Sequence, residues 1–581
     1  MEKAVKKKIK FFKFTESMTS AEKLFCLAVF VATAIIIAIP FCNKAQIFGH
    51  DAWYHIARIE ALKQQIIDGN PFSRINYFFY QGLGYASSLC YPDLLLYIPA
   101  FFRLIGLDIN VSYNLFLCLC GIACFFTTFY AADKITKNPL AATICACLFS
   151  LSQYHLDNLY TRGSVGEIQA FIFIPLVIYG LYDFLYEDFS HPTVMAVGFI
   201  GLVLSHTIST FLCVLIYTLV LIFNFKRTFS SKKKIIKLCI TCAAVLLLTA
   251  FYWIPLIELM TRMDLRVSHP TRKVGDSAIE INYLFSDVKM ADGMMGIGLA
   301  LILPLALRIA ISKKDYKSDR KLSSLLSAGD MFAAFGLGAA LFATKLIPWS
   351  AFNKTVMNNI QFSWRLFIAA SILLSFAACI YIMLTVKRDR KTSVRVYSIA
   401  ACVICLFGVL HIKTIDPSYR YRSPQYFSEN YDDGYDGTCR TGAGEWLPYF
   451  TLQNKNIALN QCDIVKDNFG NTYEYSKDGT TVLVRLDGKN KISKLQVPLI
   501  YYIGYAAEFE YDDGTTAKLE VSGSKDCGLC EAVIPENASG TLKVFYKGTA
   551  LQKISFIITL LTSVSLIAYF ILKKRKTKSS K

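Results

Sequence analysis

The chain is organised as apolar runs of roughly bilayer-crossing length, separated by short clusters of lysine and arginine. These runs lie near 24–41, 111–131, 139–155, 170–186, 193–209, 211–225, 235–255, 294–312, 327–346, 364–386, 396–412 and 553–572. A segment of this kind satisfies its backbone internally as a helix and finds its solvent in lipid. The composition agrees, since 54% of the 581 residues are hydrophobic and 14% are aromatic. The chain therefore reads as a polytopic α-helical membrane protein with about 12 transmembrane helices.

The formal net charge of +19 does not point to nucleic acid. The basic residues sit between apolar runs, at Lys6 to Lys8, Lys134 and Lys137, Lys226-Arg227, Lys232 to Lys234, Lys313-Lys314, Lys317, Arg320-Lys321, Lys387-Arg388, Arg390-Lys391 and Lys573 to Arg575. Lysine and arginine are retained on the cytoplasmic side. One register places every strongly basic loop inside, with both termini cytoplasmic. It places the loop after Phe41, the segment at Arg162 and Glu167, the loop 258–292, the segment 347–363 and the region 413–552 outside. Leu94 to Leu107 is short and interrupted by Pro99 and Arg103, so it reads as an interfacial helix. Counting it as a crossing would invert every later loop. The first span lacks a small-residue cleavage pattern, so no cleavable signal is expected.

Four regions follow: a basic N-terminus (1–23), a transmembrane domain (24–412) with a long first external loop (42–110), an external domain (413–552), and a last helix with a basic tail (553–581). The external domain carries turn signals at Asp432-Asp433-Gly434, Asp487-Gly488 and Asp512-Asp513-Gly514. It also has alternating stretches at Thr481 to Leu486 and Leu542 to Tyr546. Antiparallel strands in a β-sandwich-like domain are expected. Most of the 18 cysteines lie in apolar runs. Cys42, Cys90, Cys439, Cys462 and the Cys527-Gly528-Leu529-Cys530 pair lie outside them. In a strand-rich domain that pair reads as a local disulfide or as reduced thiols, not as a zinc site.

The candidate chemistry collects on the external side. Gly49-His50-Asp51-Ala52-Trp53-Tyr54-His55-Ile56-Ala57-Arg58 follows the first span. Further on come Gly82-Leu83-Gly84-Tyr85, Tyr91-Pro92, Thr161-Arg162-Gly163-Ser164-Val165-Gly166-Glu167, Ser205-His206-Thr207, Phe251-Tyr252-Trp253-Ile254-Pro255, Ile360-Gln361-Phe362-Ser363-Trp364-Arg365 and Gly444-Glu445-Trp446-Leu447-Pro448. In this order, over nearly the whole chain, they resemble the bacterial membrane family labelled 6-pyruvoyl-tetrahydropterin synthase-related, with its YfhO-like relatives, within the GT-C-fold glycosyltransferase superfamily. Ser363 stands where that pattern has proline.

The resemblance implies a GT-C-like fold in the bacterial plasma membrane. It also implies transfer of a sugar from a polyprenyl-phosphate donor to an extracytoplasmic acceptor: a wall glycan, a teichoic acid, a lipid or a protein. Such a reaction needs a base for the acceptor hydroxyl and cations for the departing phosphate. Asp51 is the candidate base, and a helix N-cap is its structural alternative. Glu167 is a second candidate catalytic carboxylate beside Arg162, or the two form a surface ion pair. His50, His55, Arg58, Arg162, His206 and Arg365 are candidates for the donor phosphate or substrate. For His206 the alternative is a satisfied core histidine, and for Arg365 snorkelling to headgroups. With no Asp-X-Asp pair at Asp51, a divalent cation is not indicated. Two other classes remain open. A transporter or lipid flippase places charge near mid-bilayer, whereas Arg308, Asp330 and Asp183 here lie toward the inner ends. A non-catalytic envelope-assembly protein would use the external domain for binding.

Overall fold

The computed structural model describes residues 18–42, 49–269, 272–285, 296–313, 318–386, 390–414, 444–449, 463–488 and 493–579. The basic runs at Lys6 to Lys8, Lys314, Lys317 and Lys387-Arg388, the turn at Asp432 to Gly434, and Cys439 and Cys462 lie outside these residues.

Each of the expected apolar runs falls on helix, but the helices are of two kinds. Among the described residues, seven are long and apolar enough to cross a bilayer: Ser20–Cys42, Ile109–Thr136, Val165–Tyr186, Arg320–Phe342, Ser363–Thr385, Thr392–Thr414 and Ala550–Lys573. The run expected near 235–255 is broken into Lys232–Leu248 and Ala250–Arg262, which meet at 71°. The remaining runs form shorter helices, Pro139–Ser150, Pro192–Val203, Thr207–Phe223 and Leu299–Ala310. Leu94–Leu104 is short as expected, and exposes Leu94, Ile98, Phe101 and Leu104 along it.

Burial separates the centre of the bundle from its rim. The most apolar window of Ser363–Thr385 is 94% buried and that of Val165–Tyr186 83%, against 6% for Ala550–Lys573. Small residues allow the close approach that lipid alone does not drive. A Cβ on Gly180 would lie 2.5 Å from Met195, and one on Gly201 would lie 2.1 Å from Phe173, so Pro192–Val203 rests directly on Val165–Tyr186. Away from the site, charges are matched locally. Arg308 pairs with Asp330 at 2.5 Å, and Asp183 accepts the backbone N–H groups of Ser190 and His191.

Before the last helix the chain forms two five-stranded antiparallel sheets. One consists of β1 (Val465–Asp467), β2 (Thr472–Tyr473), β5 (Lys494–Ile500), β8 (Val521–Gly523) and β9 (Leu529–Val533), in the order β2-β1-β5-β9-β8. The other consists of β3 (Tyr475–Asp478), β4 (Thr481–Asp487), β6 (Tyr505–Tyr511), β7 (Thr516–Leu519) and β10 (Ser539–Tyr546), in the order β3-β4-β10-β6-β7. Both alternating stretches are strands. β4 (Thr481–Asp487) and β10 (Ser539–Tyr546) pair with Val484 opposite Leu542 and Val482 opposite Val544, so the apolar faces coincide. Gly514, at φ +83°, turns β6 (Tyr505–Tyr511) into β7 (Thr516–Leu519), as the Asp-Asp-Gly signal requires. Cys527 and Cys530 are free buried thiols, and Cys527 lies 3.2 Å from the Gln496 side chain.

The long first loop divides between two cores. Ala52, Ile56 and Ile59 pack with the membrane helices, whereas Ile75, Phe79, Leu83, Tyr85 and Leu89 enter the apolar core of the sandwich. Leu83 also accepts the backbone N–H of Ile500 at 2.8 Å. The sandwich is thus seated on the helix bundle through this loop.

Candidate functional site

Two glycine-containing motifs, more than a hundred residues apart in sequence, lie side by side. The N–H of His50 donates to Thr161 O at 3.2 Å, and that of Asp51 to Arg162 O at 2.8 Å. A Cβ on Gly49 would stand 2.4 Å from the Arg162 carbonyl carbon, so the strand-like contact exists because residue 49 has none. Gly163 takes φ +61°, which turns the chain out of the Arg162 segment and into the Val165–Tyr186 helix. The contact brings the Asp51 carboxylate to 3.9 Å from the Arg162 guanidinium. Asp51 occupies the N-cap position of the Ala52–Ile67 helix, yet its side chain makes no capping hydrogen bond.

Behind Asp51 lies a buried ionic cluster. Glu167 Oε2 accepts Arg162 Nη1 at 2.8 Å and the Tyr154 hydroxyl at 2.7 Å, while Glu167 Oε1 faces Arg365 Nε at 2.9 Å. Asn158 Oδ1 accepts a second bond from Arg162 at 2.6 Å, and Arg365 donates to Ile360 O and to Gln361 Oε1. Arg162 stacks over Trp364 at 4.7 Å, and Arg365 over Phe362 at 5.3 Å. The expected Arg162–Glu167 pair is present, but in the interior, where pairing is required. Two buried cations share one fully buried carboxylate, and the half-exposed Asp51, 3.9 Å from Arg162, supplies the second negative charge. The Arg365–Glu167 contact lacks hydrogen-bond alignment, leaving Nε and Oε1 without a hydrogen-bond partner.

Four helices begin around this cluster: Ala52–Ile67 behind Asp51, Val165–Tyr186 at Glu167, Thr207–Phe223 behind His206, and Phe367–Thr385 just after Arg365. Their dipoles add positive potential where an anion would sit. Three of the same helices line an apolar groove through Ile174, Val177, Leu212, Ile216, Ile368 and Ile372. Ile174 is two turns below Glu167, about 10 Å along the helix.

The other sequence candidates surround or support the cluster. Arg58 pairs with Asp93 at 2.5 Å, donates to Pro92 O at 2.8 Å and lies 4.4 Å from the Tyr91 ring. His55 Nδ1 accepts a hydrogen bond from Arg58 Nη1 at 3.2 Å, and burial with the nearby Arg58 cation lowers its ring well below the usual histidine range. His206 caps its helix by accepting Ser209 N–H at 3.2 Å, and its ring lies 5.9 Å from that of Tyr91. His50 contributes its backbone N–H to the motif contact. Among the described residues no group of three or more His, Cys, Asp or Glu side chains could hold a metal.

Sequence reading placed Tyr91 and Glu445 within motifs without giving either a role, and did not single out Tyr154. Tyr91 lies so close to Gly166 that a Cβ there would be 2.0 Å from its hydroxyl. Glu445 sits on a short segment folded against the site, within electrostatic reach of Arg365 and Asp51. Only the glycine neighbouring each of Glu167 and Glu445 signalled close packing.

A multispan bundle with a charged centre at one helix end defines a polytopic membrane protein. The chain belongs to the 6-pyruvoyl-tetrahydropterin synthase related family of membrane proteins, whose pattern matches residues 90–415. A Lactococcus lactis subsp. cremoris (strain MG1363) protein described as uncharacterized is 25% identical over 602 residues, covering 94% of this chain and 95% of its own. Solved structures with some similarity include the archaeal oligosaccharyltransferase AglB from Archaeoglobus fulgidus in complex with an inhibitory peptide and a dolichol-phosphate. That match has TM-score 0.41, 15% identity, 72% of this chain and 60% of that one. ArnT from Cupriavidus metallidurans bound to undecaprenyl phosphate matches with TM-score 0.35, 11% identity, 72% of this chain and 75% of that one. The mycobacterial arabinofuranosyltransferase AftD gives TM-score 0.37 and 12% identity over 68% of this chain and 27% of that one.

Proposed function

We propose that the protein is a membrane glycosyltransferase of the GT-C kind, moving a sugar from a polyprenyl-phosphate donor to a cell-envelope acceptor outside the plasma membrane. One observation carries the reading. Two buried arginines share one carboxylate at the meeting of four helix N-termini, directly above an apolar groove between three of those helices. A phosphate on a long hydrocarbon chain matches both halves at once: charge at the head, apolar wall along the tail.

In the reaction, the acceptor hydroxyl attacks the anomeric carbon and gives its proton to Asp51. The bond between that carbon and the phosphate oxygen breaks, and the electron pair leaves with the polyprenyl phosphate. Arg162 and Arg365 hold the developing charge. Asp51 suits the base because its side chain is 45% exposed, whereas Glu167 is 1% exposed and committed to both arginines. Glu167 then fixes the two guanidiniums, and Arg58 with His55 and Tyr91 fixes the loop behind Asp51. A transporter reading is less favoured, since the charged cluster lies at one end of the central helices.

The test uses purified full-length protein in nanodiscs, with undecaprenyl phosphate as the binding probe, and a deletion strain for activity. Asp51→Asn should bind the probe normally and fail to restore envelope glycosylation, with lipid-linked sugar accumulating. Arg365→Ala should weaken probe binding, and Arg365→Lys should weaken it less. Normal glycosylation by Asp51→Asn removes the base, and unchanged binding by Arg365→Ala removes the phosphate site.

A further inference from the structure

Glu445 belongs to a segment held rigidly from three directions. Its carbonyl accepts the N–H of Val267 at 2.8 Å, and the Leu447 carbonyl accepts that of Arg266 at 3.0 Å. The N–H of Trp446 donates to the Tyr85 hydroxyl at 3.0 Å, and its carbonyl accepts the Tyr502 hydroxyl of the sandwich at 3.1 Å. Gly444, at φ +64°, makes the entry turn where a Cβ would fall 2.9 Å from Leu447 and 3.1 Å from the Tyr80 hydroxyl. A backbone clamped so closely fixes the direction of the one charged side chain it carries.

That side chain is half-buried, and its carboxyl makes no hydrogen bond or ion pair among the described residues. The charged groups in its field are Arg365, Asp51 and Arg266. An unmatched carboxyl in such a position is costly unless something polar completes it. Burial raises it above the usual carboxylate range, in keeping with that cost.

The partner is constrained by direction and sign. The groove and the arginines receive a phosphate from the membrane side, and a carboxylate repels phosphate. Glu445 lies instead on a segment packed against the sandwich, within electrostatic reach of the carboxylate proposed to deprotonate the acceptor. We infer that Glu445 is an acceptor-binding residue of this site, holding hydroxyl groups of a polyhydroxylated glycan acceptor beside Asp51. The inference rests on the transferase reading. It adds a substrate contact supplied from the segment packed against the sandwich, so that the seated domain contributes to the site itself.

The experiment titrates two crude substrates from the deletion strain against purified full-length protein: its extracted lipid-linked sugars and its isolated cell envelope. Glu445→Gln should raise the half-saturating amount of envelope by about tenfold or more, the loss expected for one charge-assisted hydrogen bond. Half-saturation by the lipid extract and binding of undecaprenyl phosphate should not change. Glu445→Asp should recover part of the loss. A shift confined to the lipid extract would make Glu445 a donor-sugar contact, and unchanged saturation by both would make it structural; either overturns the proposal. Should Glu445→Gln fail to bind undecaprenyl phosphate, Glu445→Asp carries the test by the same titrations. Absence of transfer by the wild-type protein defeats the transferase reading, and the inference with it.

Discussion

At the scale of single residues, Glu167 is the pivot of the site. Among the described residues it is the only carboxylate in direct contact with both Arg162 and Arg365, and its helix is among the most buried. Removing one partner from a buried ionic group leaves the others uncompensated, at a cost of about 3–5 kcal/mol. Glu167→Gln should therefore lower thermal stability clearly, while Asp51→Asn, at a half-exposed position, should leave it nearly unchanged. Melting of the two variants in one detergent checks this. Equal stability of both would mean the cluster is held by packing alone. The sequence made both carboxylates candidates for catalysis. It put Asp51 first and Glu167 second, but could not show their exposure, which depends on neighbours remote in the chain.

At the scale of elements, the contact between the Gly49–Asp51 and Thr161–Gly163 segments sets the geometry. Gly49→Ala would place a methyl group 2.4 Å from the Arg162 carbonyl carbon, so one segment must shift. A displacement of this order at a reacting group costs about a hundredfold in rate. Transfer by Gly49→Ala should fall accordingly, and undecaprenyl phosphate binding should weaken less than transfer, since Arg365 lies on another element while Arg162 lies on the displaced one. The sandwich offers a second element-scale prediction. Lys477 of β3 (Tyr475–Asp478) reaches the Pro498 carbonyl at 2.9 Å, and burial lowers its ammonium from 10.5 to about 8. At pH 7 the folded and unfolded chains both carry this proton, and the burial penalty is present in full. Between pH 8 and 10.5 the unfolded chain binds more of it, so this group's contribution to stability improves as pH rises. The stability of the wild type relative to Lys477→Met should increase over that window. A flat difference would show that Lys477 keeps its charge in the fold. Both strands with clear alternation were legible in the sequence. The seating of the 75–90 loop in their core was not, because an aromatic loop carries no periodicity to read.

At the scale of the whole molecule, the charge register makes a topological prediction. Tags near 134 and 230 should report cytoplasm, and tags near 355 and 480 the outside. An outside signal at 230 would place the arginine cluster on the wrong face for an external acceptor. The sequence alone determined the membrane class, the placement of the apolar runs and the β-rich insertion before the last helix. Those features follow from local composition and period, which each segment carries by itself. Four things were decided only by tertiary structure. The 235–255 run breaks at 71°, four helix N-termini meet at one point, Glu167 is shared by two arginines, and Glu445 returns to a site begun nearly four hundred residues earlier. The reason is physical. Hydrophobicity assigns a segment to its solvent without specifying its neighbours, whereas the charge, burial and direction of a site residue are properties of the neighbours that packing supplies.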